Sequence, residues 1–436
     1  MRTIIGGPAA EPSAPDERGE SARPRVLVFA FACEPGRGSE PGAGWGTVRA
    51  LSTFADCVVL VGPEHAAGIS RWQASGGRPG LTFVVVPEAR WPGPGRGGRV
   101  APFIAYLRWL PRAYEAARRL QAERPFDLVH HVSYSTYWLP TPAAHLGVPL
   151  LWGPVGGAVT TPRRLWPALG WLGLAEEFLD YAAVRALAAL PATHSTWQRA
   201  ARCLAQNDAT LARLPEPLRD SARVLNHALF TDVATDVPAS VVRERGSELL
   251  FVASLESRKG LRLAVRAMRH TPADVTLRVV GDGPERRPAE RLARRLGVAD
   301  RIQFRGRVSR ATVLDLMARC AAAVFTGLRE EGGLALAEAL LTGTPVVVLA
   351  HGGALTVAAA ATDPSRVALV EPGDVESTAR RIGEAMTRFS RHPPRATGPL
   401  LDQAHALRLL RETFEAALAG SGSQPVRRDT ALPARS

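Results

Sequence analysis

Short apolar runs of strand length recur along this chain, each followed by a turn and a helix-like segment, and the whole series occurs twice. The first series holds RVLVFAFA (25 to 32), CVVLVG (57 to 62), TFVVVP (82 to 87), DLVHHV (127 to 132) and PLLWG (149 to 153). The second holds ELLFVASL (248 to 255), TLRVVG (276 to 281), RIQFRG (301 to 306), AAAVFTG (321 to 327) and TPVVVLA (344 to 350). Continuous rather than alternating apolar runs are the mark of strands covered on both faces, and helices between them imply parallel order. Few architectures accept that pattern. The expected fold is α/β, with two Rossmann-like, doubly wound parallel-sheet lobes facing a central cleft.

At 436 residues the chain exceeds what one hydrophobic core normally serves, and an apolar fraction of 46% is enough for two. The polar, proline-containing stretch TDVATDVPAS marks the boundary, which gives a first lobe over 25 to 235 and a second over 248 to 399. Residues 1 to 24 and 420 to 436, rich in Pro, Ala, Ser, Gly and Arg without periodicity, are expected to be disordered. The opening residues are broken by Pro, Asp, Glu and Arg, and no apolar run reaches membrane-spanning length, so a cytoplasmic protein is expected. Cys33, Cys57, Cys203 and Cys320 stand singly, without the paired spacing of a zinc or redox site, and read as small buried hydrophobes.

The net charge of +13 admits nucleic acid, an anionic membrane or a phosphorylated substrate as partner. Its composition is more telling. Lys259 is the only lysine, and every other one of the 54 basic residues is arginine. A drift toward arginine that spared one position suggests that a compact ammonium is needed there. The arginines do not cluster with aromatics on a recognisable module, which argues against nucleic acid.

Two segments of the second half have the pattern of an anion site. LREEGGLALAEAL (328 to 340) begins as a loop and continues as good helix formers, with Gly332, Gly333 and Leu334 at the helix start. Glycines there let unpaired backbone N–H groups approach a diphosphate, and the helix dipole adds to the attraction. Glu330 and Glu338 are two helical turns apart, roughly 12 Å, so they cannot form one acid–base pair. Separate tasks follow: Glu338 accepting hydrogen bonds from ribose hydroxyls, Glu330 holding hydroxyls of a sugar.

This segment resembles the Glu-x7-Glu signature of glycosyltransferase family 4, whose members have the GT-B fold and retain anomeric configuration. The resemblance covers about residues 25 to 418. VASLESRKG (252 to 260) is similar to the family loop whose lysine contacts the donor pyrophosphate, which places Lys259 there, with Arg258 beside it. VVGDGPE (279 to 285), with Gly281 and Asp282, and RIQFRGRVSR (301 to 310) also look like family elements, the latter holding the nucleobase near Arg307 and Val308. Two departures are visible. The family pattern has phenylalanine at Gly332 and arginine at Ser254.

In the first half, ACEPGRGSEPGAGWG (32 to 46) could present the N–H groups of Gly42, Ala43 and Gly44 to the donor, and resembles an acceptor-side loop of a family subgroup. The dinucleotide fingerprint fails on spacing, since Pro41 takes its third glycine position. The resemblance also implies a strand-end histidine near the reacting sugar. His130 and His131 compete for that place, and side-chain alternation allows at most one to face the cleft.

No Asp-x-Asp motif occurs, so charge on the diphosphate would be met by Lys259, Arg258 and the helix start, with no metal and no cofactor besides the donor itself. The family implies a nucleotide diphosphate sugar and a hydroxyl acceptor as partners, front-face attack, and a last helix (400 to 419) that crosses back to the first lobe. Two other readings compete: a nucleotide-sugar epimerase, and a non-catalytic sugar-nucleotide binding subunit. The aromatic and basic stretches 100 to 121 and 163 to 187 are read as core-facing helices, with peripheral membrane contact as the alternative.

Overall fold

The computed structural model describes residues 3–5, 23–89, 101–231, 246–394 and 399–420. Strands β1 (Thr3–Ile5), β2 (Arg25–Phe29), β3 (Asp56–Val61), β4 (Leu81–Val85), β5 (Leu128–His131), β6 (Leu150–Val155), β7 (Ala200–Ala205) and β8 (Arg223–Val224) form the first sheet. Its order is β1-β4-β3-β2-β5-β6-β7-β8. The second sheet comprises β9 (Leu249–Val252), β10 (Leu277–Val280), β11 (Ile302–Gly306), β12 (Ala322–Phe325), β13 (Val346–Leu349) and β14 (Val367–Val370), in the order β11-β10-β9-β12-β13-β14. All pairings are parallel except β1 with β4.

In each sheet the strand order reverses beside the first strand of its series, between β2 and β5 and between β9 and β12. That reversal opens a crevice at the carboxyl ends of the strands, where ligands of doubly wound sheets bind. The apolar runs explain the burial: Val26, Val28, Phe29, Val59, Leu60, Val346, Val347 and Val348 are fully enclosed. The four cysteines are free and buried, and burial raises the thiol pKa of Cys33, Cys57 and Cys203.

The described structure departs from the sequence expectations in several places. The stretch 1 to 24 includes an edge strand, β1. Its other residues up to 22, the boundary stretch 232–245 and the tail 421–436 lie outside the described residues. The helix Trp166–Ala188 belongs by sequence to the first half, yet Leu165, Ala168 and Leu169 at its start pack into the core of the second lobe. Farther along it Trp171, Leu172, Phe178, Leu179 and Tyr181 are exposed, so this stretch is not simply core-facing. The helix Ala101–Glu123 does face the core, through Tyr106, Trp109, Leu110 and Ala113. Among the described residues no helix is long and apolar enough to cross a membrane.

The last helix, Gln403–Ala419, lies against the first lobe. Phe414 meets Phe54 edge-on at 5.2 Å, and the Gln403 amide donates to the carbonyls of Leu229 and Thr231 at 2.8 and 2.9 Å.

Candidate functional site

A cavity of about 570 Å³ lies between the two lobes at the carboxyl ends of both sheets. Its first-lobe wall includes Ser39, Glu40, Tyr134, Ser135, Gln206 and His227; its second-lobe wall includes Arg258, Lys259, Glu330, Gly332, Gly333, Leu334 and Glu338. The volume falls within the usual range of small-ligand sites.

The second-lobe wall is assembled from the loops that follow β9 and β12. Gly260 makes their contact possible: it is left-handed (φ 71°), and a Cβ there would come 1.9 Å from the Thr326 carbonyl oxygen. No other residue type fits. The two loops are then joined by hydrogen bonds, with the Leu328 and Arg329 N–H groups donating to the Arg258 carbonyl at 2.8 and 3.2 Å and the Thr326 hydroxyl to the Gly260 carbonyl at 2.9 Å. Lys259 and Glu330, 71 positions apart, are thereby brought together, and the ammonium donates directly to Glu330 Oε2.

Burial works against ionisation of Glu330. The Lys259 charge and hydrogen bond, Arg258 and the Gly333 N–H outweigh it and hold the carboxyl below the ordinary glutamate range. That N–H donates to Glu330 Oε1 at 3.2 Å, so the carboxylate sits on the start of helix Leu334–Leu341, which Gly333 (φ 74°) enters in the left-handed region. Glu338, on the same helix, is nearly buried; burial raises its pKa and Arg310 opposes this, donating from Nε at 2.9 Å to Oε1. Arg258 points its Nε to Glu256, at 2.7 Å.

Of the residues singled out from sequence, Ser254, Arg258, Lys259, Glu330, Gly332, Gly333, Leu334 and Glu338 line this cavity, whereas Gly281, Asp282, Arg307, Val308, Gly42, Ala43, Gly44, His130 and His131 do not. Gly281 is left-handed beneath the β9 loop, where a Cβ would meet the Ala253 carbonyl at 1.8 Å, and Asp282 caps its own turn through the Gly283 N–H. Their part is to support the loop from below. Arg307 and Val308 also lie off the cavity wall. Gly42, Ala43 and Gly44 belong to the helix Ser39–Leu51 instead of a phosphate-facing loop. Absence of a Cβ at Gly44 lets that helix approach the Ala32 carbonyl, 2.1 Å from where the Cβ would be.

The strand-end histidines are a correction. Both His130 and His131 are enclosed in the first lobe and neither lines the cavity. His131 Nδ1 hydrogen-bonds Thr141 Oγ1 at 2.5 Å and its Nε2 hydrogen-bonds the Tyr106 hydroxyl at 3.1 Å; His130 Nε2 donates to the Gly153 carbonyl at 2.7 Å. Alternation does send them to opposite faces, but helices cover both faces of a doubly wound sheet. The histidine at the cavity is His227, on the turn His227–Phe230, which no sequence pattern distinguished.

Other contributors were also unmarked in the sequence. Ser39 (φ 59°) and Tyr134 (φ 52°) are left-handed without being glycine, both at the cavity, and Glu40 accepts from the Tyr134 N–H at 2.8 Å. Such conformations cost roughly 1–3 kcal/mol and cluster at functional sites. Glu331 joins the lobes. Its carboxylate accepts from the Val159 N–H and from the Asn207 amide, each at 2.9 Å, and its carbonyl accepts from the Asn226 amide at 3.1 Å. Burial raises the Glu331 pKa despite these bonds. Among the described residues no three His, Cys, Asp or Glu side chains are grouped so as to hold a metal ion.

Residues 233–391 match the family described as "Glycosyl transferases group 1". Over 339 residues the chain is 26% identical to the 2-deoxystreptamine glucosyltransferase of Streptomyces kanamyceticus, covering 72% of this chain and 84% of that one. A D-inositol 3-phosphate glycosyltransferase of Xylanimonas cellulosilytica is 35% identical over 113 residues, 25% of this chain and 27% of its own. Among solved structures, Anabaena HepE in complex with UDP and glucose superposes with a TM-score of 0.50 at 17% identity, over 90% of this chain and all of that one. Sucrose-phosphate synthase of Thermosynechococcus elongatus gives 0.51 at 18% identity over 91% of this chain. The second lobe is therefore a glycosyl transferases group 1 domain, and the chain is a glycosyltransferase of GT-B architecture.

Proposed function

We propose that the chain is a retaining, family 4-type transferase that moves a sugar from a nucleoside diphosphate sugar to a small hydroxylated acceptor, without a metal ion. The observation that carries this is the Lys259–Glu330 pair on the Gly333 N–H at the mouth of helix Leu334–Leu341. It places an ammonium, a helix start and a carboxylate within one cavity wall. In this reading Lys259 and the helix start take the diphosphate, stabilising the charge that grows on the leaving phosphate. Glu330, held ionised, accepts hydrogen bonds from the transferring sugar. Glu338, held in place by Arg310, takes the ribose hydroxyls.

The acceptor enters over the first-lobe wall of Ser39, Glu40 and Tyr134. Two left-handed residues and a carboxylate bonded to the Tyr134 N–H make that wall a preformed polar surface. An amine-bearing cyclitol is the first acceptor class to try, because Glu40 is the charged residue on that wall and because of the acceptor named for the Streptomyces kanamyceticus relative. Front-face attack on the anomeric carbon would retain configuration: the acceptor oxygen bonds to that carbon, the bond to the diphosphate breaks, and the leaving phosphate oxygen takes the acceptor proton.

The test is release of nucleoside diphosphate from UDP-, GDP-, ADP- and TDP-glucose in EDTA, with and without 2-deoxystreptamine, followed by the anomeric configuration of any product. Release that depends on acceptor, with retention, supports the proposal. Conversion of the donor sugar without release would favour an epimerase, and an inverted product would remove the family 4 mechanism.

A further inference from the structure

We infer that His227 contacts the transferring sugar, and that Gly332 is glycine because His227 stands where its side chain would be. The inference rests on the reading of the cavity as a nucleotide-sugar site and concerns residues to which that reading gives no role.

His227 is 4% exposed and lines the cavity. Among the described residues neither of its ring nitrogens has a hydrogen-bond partner, in contrast to His65 on Glu34, His131 on Thr141 and Tyr106, and His351 on the Thr160 carbonyl. A neutral imidazole carries one donor and one acceptor, and neither His227 nitrogen is among the fully buried unpartnered atoms, so both are open to the cavity. A ligand in the cavity would meet them.

The position of the ring is fixed from both lobes. Asn226, which precedes it, accepts from the Ala228 N–H at 2.9 Å and donates to the Gln206 carbonyl at 3.0 Å and to the Glu331 carbonyl at 3.1 Å. The charged groups facing the ring are Glu40 from the first lobe and Glu330 from the second. Burial lowers the His227 pKa and these two carboxylates oppose the shift.

Gly332 completes the argument. A Cβ built on it would lie 2.8 Å from His227 Nε2, with the next neighbour outside that ring, Leu334 Cδ1, at 3.6 Å. Its backbone is not left-handed, so conformation does not demand glycine there. The imidazole does. A phenylalanine, which the family pattern has at this position, could not be placed here without moving the His227 ring. His227 Nε2 therefore lies beside Gly332, next to the helix start, facing Glu330, where the sugar of the donor would join its diphosphate.

The experiment is calorimetric titration of wild type, His227→Ala, His227→Gln, Gly332→Ala and the His227→Ala/Gly332→Ala double variant with UDP and UDP-glucose, or with the corresponding pair for whichever donor the wild type uses. Each variant is first shown to keep its cooperative melting. His227→Ala is expected to weaken the nucleotide sugar about three- to tenfold, the scale of one neutral hydrogen bond, and to leave the nucleoside diphosphate within about twofold. His227→Gln should recover part of the loss. Gly332→Ala should reproduce it by displacing the ring, and the double variant should lose no more than His227→Ala alone. Equal weakening of both ligands, unchanged binding of both, or additive losses in the double variant would overturn the inference. Failure of wild type to bind any of the pairs would instead overturn the nucleotide-sugar reading itself.

Discussion

The two walls of the cleft are built on different principles. The second-lobe wall is a set of charge pairs, Lys259 with Glu330, Arg310 with Glu338 and Arg258 with Glu256, held by two loops joined through Gly260 and Thr326. The first-lobe wall is set by backbone conformation: left-handed Ser39 and Tyr134, the Glu40 carboxylate on the Tyr134 N–H, and the Asn226 side chain that fixes His227. A wall of ionised groups suits an anionic, chemically uniform ligand such as a diphosphate. Backbone shape suits a ligand that varies. The lobes should accordingly respond to substitution in different ways, the second through charge and the first through geometry.

The largest separation is expected at Glu330. Glu330→Ala should lower turnover about a hundredfold or more while nucleotide affinity holds, because its carboxylate is assigned to the sugar and not to the nucleotide. Glu338→Ala should do the reverse, weakening the free nucleotide. Binding assays beside initial rates would show it, and equal loss of nucleotide affinity in both variants would collapse the division of tasks along this wall.

Lys259→Arg keeps the charge and should still cost about 1–3 kcal/mol in kcat/KM. The lysine is 19% exposed and its ammonium meets Glu330 directly, so a planar guanidinium on a longer fork cannot take the same place. Unchanged kinetics would remove the argument from the single lysine.

Between the walls, Glu331→Ala should raise KM for donor and acceptor together, with a stability loss of about 1–3 kcal/mol, since it releases the Val159 and Asn207 donors at once. Small-angle scattering should show a wider lobe separation. A KM effect confined to one substrate would mean that Glu331 serves one wall instead of joining them.

At neutral pH the two enclosed histidines have no effect at all, and theirs appears only on acidification. Burial lowers His130 to about 4 and His131 to about 3, the latter also repelled by His130. Their folded values lie below the unfolded value of about 6.5, so neither affects stability above that pH. As pH falls from about 6.5 toward 4, the unfolded chain takes up protons that the fold excludes, and stability falls by up to about 1.4 kcal/mol per unit per histidine. Urea unfolding across that window would measure it, and His131→Gln should flatten the curve.

The same contrast between the walls governs how much was legible in the sequence. The second wall draws most of its residues from two short motifs, and Lys259, Arg258, Glu330, Gly332, Gly333, Leu334 and Glu338, singled out from spacing, composition and resemblance, all line the cavity. Arg310 was not singled out, because nothing local relates it to Glu338, 28 positions on. The first wall left little trace. A left-handed serine or tyrosine looks like any other, and His227 follows an asparagine whose capping role appears only in three dimensions.

The adjacent pair His130 and His131 drew attention away, since strand alternation says which face a residue takes and not whether a helix covers it. Most strands were read directly from their apolar runs. β7 was missed because it begins Ala-Ala-Arg straight out of the helix Pro191–Arg199, and β8 because it has two residues. β14 was missed as four residues after a proline-containing turn.

The most direct test of the central claim, that the Lys259–Glu330 corner is the seat of a nucleoside diphosphate, is thermal stabilisation of wild type and Lys259→Ala by UDP, GDP, ADP and TDP in EDTA. A ligand that binds only the native state must raise the melting temperature. One nucleotide should stabilise the wild type clearly, and Lys259→Ala should lose most of that shift. Stabilisation of both proteins to the same degree would place the diphosphate elsewhere in the molecule, and no stabilisation of wild type by any of them would contradict the account.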